Sequence, residues 1–216
     1  FRSDPGWDDE VDEVTEQEFW DVRLPQINTR AKDVSFVINK LQELKEQKFY
    51  ITNNCNFNKI GIFGHSFGGG TSLATSILDS RIKSCLSLDG WYTPVHPDIY
   101  NQGLSAPFLH LGQVEWEDAV NYKILDEILE SKVDLGYKLS LEGAHHYDFT
   151  DSPHLSDFSS TFKLSSDLDS EEILMVTNIA VVGFFDEHLK SKKTNWINKL
   201  KSNVNVKIEE FHSDEK

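Results

Sequence analysis

Gly64-His65-Ser66-Phe67-Gly68 is the stretch of this 216-residue chain whose residue types and order specify chemistry most directly. Acyl transfer needs a hydroxyl made nucleophilic by a base. It also needs hydrogen-bond donors aimed at the carbonyl oxygen that becomes negative. A Gly-x-Ser-x-Gly turn between a strand and a helix offers the hydroxyl of Ser66 and, from the N–H of Phe67 at the helix N-terminus, one oxyanion donor. Gly64 and Gly68 are expected to admit the close approach of strand and helix that such a strained turn requires. The competing reading is a glycine-rich turn whose serine only caps a helix. The apolar strand before it and the helix after it favour the nucleophile.

A base must lie downstream, because this type of site runs serine, acid, histidine along the chain. Gly143-Ala144-His145-His146-Tyr147-Asp148-Phe149 follows the last parallel-strand segment and holds two adjacent histidines. Only one can face Ser66; His146 is the candidate base and His145 the alternative. No cysteine or carboxylate at ligand spacing accompanies the pair, so neither a metal nor another cofactor is expected. For the acid, Asp89 ends one strand, while Glu115, Glu117 and Asp118 follow the next. Both loops lie at the carboxyl edge of a sheet, and the residues alone leave the choice open. Trp91, Tyr92 and Trp116 fall on the same loops, placed to line an apolar acyl or lipid pocket.

These residues need a scaffold. Short apolar segments at 59–64, 83–88, 108–111 and 137–141 alternate with helical patterns at 71–78 and 117–129, which predicts a mostly parallel sheet covered on both faces. Before them, Ile27, Ala31, Val34, Ile38 and Leu41 step by three and four, so residues 19–48 form one amphipathic helix. Ser170, followed by Glu171 and Glu172, reads as the N-cap of a helix running to Leu189. Residues 1–18 hold eight acidic residues against one arginine and read as a solvated arm. Beyond Lys190 the Lys- and Asn-rich sequence, with 201–216 as its end, reads as a loosely held tail.

Composition bounds the partners. A hydrophobic share of 38 % suits one packed domain, and no apolar run reaches the roughly 20 residues of a membrane-spanning helix. The net charge of −15 opposes a nucleic-acid partner, whose binding depends on a basic surface. Cys55 and Cys85 are expected to be free thiols. The chain starts at Phe1, has Met175 as its only methionine and looks processed, which favours a secreted or vesicular compartment over the cytoplasm.

Gly64-His65-Ser66-Phe67-Gly68-Gly69, Leu88-Asp89-Gly90-Trp91, Ala106-Pro107-Phe108, Gly143 to Phe149 and the helix from Asn178 to Leu189 together resemble the platelet-activating-factor acetylhydrolases of the plasma and intracellular type II kind. The likeness runs from about residue 19 to about 200. It implies an α/β-hydrolase fold of which this chain is the C-terminal half. It also implies a calcium-independent serine phospholipase acting on lipids with short or oxidised acyl chains, with a lipid surface as a further contact. The family's Asp-x-Trp setting points to Asp89 as the acid, and its Gly-x-x-His-x-x-Phe motif points to His146. Its second oxyanion donor comes from an early loop that this sequence does not contain. Gln113-Val114-Glu115 departs from the family pattern. A separate N-terminal chain or fragment is therefore expected to complete the sheet, since a nucleophile strand is normally flanked on both edges. Other readings are a cutinase-like or dienelactone-hydrolase-like esterase with a later acid, or a hydrolase-fold binding protein without catalysis.

Overall fold

The computed structural model describes residues 15–116, 119–155 and 165–213. The acidic arm up to residue 14, and Glu117 and Asp118 among the candidate acids, lie outside them. Helix α1 spans Glu16–Glu46 and opens with a reciprocal cap: Thr15 Oγ1 accepts from the Glu18 N–H, and the Glu18 carboxylate accepts from the Thr15 N–H. Such a box satisfies two otherwise orphaned donors. Of the predicted apolar stripe, Ile27, Ala31 and Ile38 are buried.

The chain then alternates strand and helix: β1 (Ile60–His65), α2 (Phe67–Leu78), β2 (Ile82–Leu88), α3 (Pro97–Tyr100), β3 (Phe108–Gln113), α4 (Ala119–Ser131) and β4 (Leu135–Leu141). Three short or long helices follow, α5 (Ser152–Leu155), α6 (Ser170–Lys190) and α7 (Trp196–Lys201), before β5 (Val206–His212). Strand order is β1-β2-β3-β4-β5. The first three pairings are parallel, as crossover helices dictate, and β5 returns antiparallel to β4.

Alternation along the strands builds two cores. Cys85 and Phe108 face α1, α2 and α4, where they meet Ile27, Leu73, Leu125 and Ile128. Leu86, Leu109 and Leu139 face α6 and α7, where they meet Val176, Phe184 and Trp196. The sheet is thus covered on both faces. Cys55 and Cys85 are unpaired, and burial pushes the Cys85 thiol up to about 12.

Two expectations change. Asp169, not Ser170, caps α6, its carboxylate accepting from the Glu171 N–H at 3.0 Å. The region beyond Lys190 is not a loose tail: Trp196 and Leu200 are buried under α6, and β5 is a paired edge strand. Its few aliphatic residues suffice because an antiparallel edge strand needs only one apolar face. At the opposite end, β1 pairs with β2 alone among the described residues, and Phe63 on it is 58 % exposed.

The α6–α7 contact is tight enough to test. A methyl at Gly183 would lie 2.2 Å from Trp196 Cβ, so Gly183→Ala should force the helices apart. A loss of about 1–3 kcal/mol in urea unfolding is expected; unchanged stability would show that α7 does not pack there.

Candidate active site

Strand β1 delivers Ser66 into a conformation that L-residues rarely adopt, φ 57° and ψ −123°. Hydrogen bonds hold it there. The Ser66 N–H donates to Leu88 O at 3.0 Å, and Ser66 O accepts from the N–H groups of Gly69 and Trp91, each at 2.9 Å. The turn also requires close contact, since a methyl at Gly64 would sit 2.4 Å from the Gly68 backbone. Gly68 itself faces open space; the crowded helix glycines are Gly69, against Ser87 Oγ, and Gly70, against Trp91 O. The role expected of Gly68 therefore belongs to the two glycines after it. Phe67 opens α2, and its N–H has no acceptor among the described residues.

Asp89 follows β2 and is the second site residue in the left-handed region, at φ 42°. It has no exposed surface, yet four donors bond its carboxylate and a hydroxyl lies beside it. Oδ1 accepts from the Gln113 N–H at 3.1 Å and Trp116 Nε1 at 3.0 Å, and Tyr122 Oη, 3.1 Å away, shares its single proton between Oδ1 and the Gln113 carbonyl at 2.6 Å. Oδ2 accepts from Gln113 Nε2 at 3.0 Å and His146 Nδ1 at 2.6 Å. Burial opposes the charge, but the bond from His146, the neighbouring imidazoles and the Trp116 indole outweigh it and hold this carboxyl below the usual range. Burial and the Asp89 charge push the Tyr122 phenol far up, which keeps it a donor.

An ionised carboxylate can only accept, so the proton between the two lies on Nδ1 of His146. In the neutral ring Nε2 then carries a lone pair and is free to accept from a hydroxyl. The His146 loop is tied to the elbow by His65, whose Nε2–H donates to the His146 carbonyl at 2.9 Å. The two rings meet at a tilt with centroids 4.5 Å apart, and burial together with His146 lowers the pKa of His65. Ser66 Oγ makes no hydrogen bond among the described residues. His145 is exposed, its N–H held by Asp148 at 2.7 Å.

The other sequence candidates separate. Glu115 is exposed and makes no contact with His146 among the described residues. Trp116 does not simply line a pocket: it donates to Asp89 and packs edge-on to the His146 ring at 4.9 Å. Trp91 is half-buried against Phe67, with ring centroids 5.6 Å apart. Tyr92 leaves the loop surface altogether, buried in the core with its hydroxyl 2.7 Å from His110 Nδ1. A loop aromatic that can satisfy its hydroxyl inside the fold gains more by burial than by lining a pocket.

Spacing gave no sign of four supporting residues. Gln113 and Tyr122 hold Asp89. Asn121 locks the loop behind it, with Oδ1 accepting from the Tyr92 N–H at 2.5 Å and Nδ2 donating to Gly90 O at 2.9 Å. His110 sits beneath Asp89: a methyl at Gly112 would lie 2.5 Å from both Asp89 Oδ1 and His110 Nε2. The one available signal was a polar residue, His110, inside an otherwise apolar strand.

A parallel sheet with helices on both faces, a strained serine between β1 and α2, and a histidine–carboxylate pair on the loops after β4 and β2 define an α/β-hydrolase fold. The family model for platelet-activating factor acetylhydrolase, isoform II, matches residues 9–208, and the chain belongs to that family. Among curated relatives, the platelet-activating factor acetylhydrolase of Gallus gallus is 26 % identical over 67 % of this chain and 34 % of its own length. That of Canis lupus familiaris is 24 % identical over 80 % of this chain and 41 % of its own. The chain thus spans between 30 % and 43 % of the length of the curated relatives it matches. Among solved structures, a ferulic acid esterase from Streptomyces cinnamoneus superposes with a TM-score of 0.66 at 21 % identity, over 91 % of this chain and 57 % of that one. At that identity the likeness is one of fold.

The buried imidazole has a consequence for stability. Burial, the leading cause, lowers the pKa of His110 from 6.5 to about 4, so the folded state prefers it neutral. Its contribution is complete above about pH 6.5 and is lost as pH falls toward 4, because the unfolded chain binds the proton first. Melting temperature should drop by on the order of 5–10 °C across that window. His65 and His188, also lowered by burial, share in the drop. His110→Asn should flatten part of it; an unaltered profile would show that His110 does not titrate differently on folding.

Proposed function

We propose that this chain carries the catalytic residues of a serine esterase that cleaves acyl esters through an acyl-enzyme. The observation behind this reading is the buried Asp89 carboxylate bonded to His146 Nδ1 at 2.6 Å, which leaves Nε2 as a base beside the elbow that displays Ser66. In the first half-reaction His146 takes the Ser66 proton as Oγ attacks the ester carbonyl. The oxygen that gains the electron pair is met by the Phe67 N–H. Collapse breaks the bond to the leaving alcohol, which departs with the proton held by His146. Water, deprotonated by the same ring, then releases the acid and restores Ser66.

The proposed substrate is a phospholipid with a short or oxidised acyl chain, cleaved without calcium. Family membership and the names of the curated relatives support it. A lipid aggregate is the surface from which such a substrate would be drawn. Trp91, half-buried beside Phe67, remains a proposed pocket residue, whereas Trp116 is assigned to holding Asp89 and His146 in line.

Ser66→Ala should lower turnover about 10⁴-fold or more and abolish labelling by a fluorophosphonate probe. Asp89→Asn should be nearly as damaging while Glu115→Gln is mild. The reverse order would restore the later-acid esterase reading, and labelling that survives Ser66→Ala would remove Ser66 as the nucleophile.

The bare edge of β1 belongs to the same proposal. A parallel strand that carries a nucleophile is normally bonded on both sides, and an open edge with an exposed phenylalanine invites association. Further strands, from a separate N-terminal chain or another segment, cover that edge and bring the second oxyanion donor. Lacking one donor typically costs about 10²- to 10³-fold in turnover. Residues 1–216 expressed alone should therefore be poorly soluble and weakly active; a stable, monomeric and fully active product would refute the missing strands.

A further inference from the structure

Two arginines of α1 lie seven residues apart, so they share a helix face, and that face is turned toward the elbow. The Arg30 guanidinium sits 4.4 Å from the centre of the Phe67 ring, and that of Arg23 sits 4.8 Å from the Trp91 ring. Both rings belong to residues in direct touch with the nucleophile turn. Phe67 follows Ser66 and offers the oxyanion donor, while Trp91 donates its N–H to Ser66 O at 2.9 Å. The rings also meet each other, at 5.6 Å, so the order across the surface is Arg30, Phe67, Trp91, Arg23.

Two cations over rings that adjoin the nucleophile turn are notable in a chain of net charge −15. Arg81 shows what a structural arginine looks like here: it binds Asp79 through two nitrogens and also Asn39 and Gln42. Arg30 differs. It is exposed, and among the described residues it forms no ion pair. Stacking on an aromatic ring occupies the face of a guanidinium and leaves the N–H groups along its edge able to donate. It also fixes the plane of the fork, so less freedom is lost when an oxyanion binds.

We infer that Arg30, with Arg23 beside it, forms a phosphate subsite that reads the headgroup phosphate of an ester substrate positioned at Ser66. The inference rests on the proposed esterase reading and deepens it. In a glycerophospholipid the phosphate is only a few bonds from the ester carbonyl at the second carbon, so one ligand can present its carbonyl to Phe67 N–H and its phosphate to the adjacent fork. A neutral ester of the same acyl group gains nothing from the arginines. Preference for the phosphate-bearing substrate therefore depends on Arg30, with the charge of Arg23, whose Nη1 donates to Gln26 Oε1 at 3.0 Å, in support, and not on the acyl pocket.

The test compares, in the complete protein, a short-chain 2-acetyl glycerophospholipid with the 2-acetyl glycerol ether that lacks the phosphate. Arg30→Gln should lower the ratio of their kcat/KM values by about tenfold to a hundredfold, as expected for losing a charge-assisted contact. Arg30→Lys should recover part of it, since a lysine keeps the charge but not the stacked fork. Binding of a non-hydrolysable diether phospholipid to Ser66→Ala reads the same contact without chemistry and should weaken at least about tenfold when Arg30→Gln is added. Competition by inorganic phosphate, at constant ionic strength and lost in Arg30→Gln, would mark a site for the phosphate group alone. No competition, with diether binding still weakened, would confine recognition to the headgroup. A ratio and a diether affinity both unchanged in Arg30→Gln and in the double variant with Arg23→Gln would overturn the subsite. Failure of Ser66 to label with a fluorophosphonate would instead sink ester hydrolysis and leave the binding result standing.

Discussion

A carboxylate with no exposed surface stays charged only where donors replace the water it has lost, and Asp89 meets that condition with four of them and the shared hydroxyl of Tyr122. Much of the carboxyl edge of the sheet follows from this need. Gln113 comes from the end of β3, Tyr122 from α4, Trp116 from the segment between them and His146 from the loop after β4. Removing one partner from such a network leaves the others around a charge they no longer fully solvate. Asp89 thereby joins three successive connections into one unit. It also sets the protonation of His146, because a group that can only accept forces the ring proton onto Nδ1.

The same region concentrates backbone strain. Ser66 and Asp89 both have positive φ, in conformations that non-glycine residues hold only when their surroundings over-determine them. Ser66 is bonded to the loop that carries Asp89, its N–H donating to Leu88 O and its carbonyl accepting from the Trp91 N–H, while the Asp89 N–H donates to Leu111 O of β3 at 2.7 Å. Gly64, Gly69 and Gly70 let the elbow pack against α2, Ser87 and Trp91 without side-chain bulk. Asn121 finishes the arrangement by binding the backbone at Gly90, Tyr92 and Thr93. Strain at Ser66 is offset by hydrogen bonds to the loop that holds Asp89, and strain at Asp89 by its bond to β3.

Local signals made part of this legible in the sequence. The elbow could be read because a glycine–serine–glycine turn between an apolar strand and a helix has few other uses, and the parallel strands could be read because they are short apolar runs. Strand β5 escaped because an edge strand with one solvated face has too few aliphatics to distinguish it from a polar tail. The acid could not be chosen from the residues, since both loops end at the same sheet edge; the family likeness pointed to Asp89. Tyr92 lies on a loop in the sequence, as a pocket residue would, and nothing local shows that the loop turns inward onto His110. Gln113, Asn121 and Tyr122 reach their partners across 24 to 33 residues, separations that no local pattern encodes.

The sheet is finished unequally, and the inequality bears on how the proposed mechanism is divided. On the β4 side, β5 closes the ladder and leaves one polar face to solvent. On the β1 side nothing does so among the described residues. Yet what holds Ser66 in place comes from the other flank: Leu88 from β2, Trp91 from the loop after it, and His146 through its contact with His65. Asp89 and His146 are likewise fixed by β3, α4 and β4. The proposed serine, acid and base can therefore be held without the strands proposed to lie beyond β1. A covering segment would act on the remaining needs of acyl transfer, a second donor for the oxyanion and a wall that excludes water, and so on transition-state charge more than on nucleophile geometry.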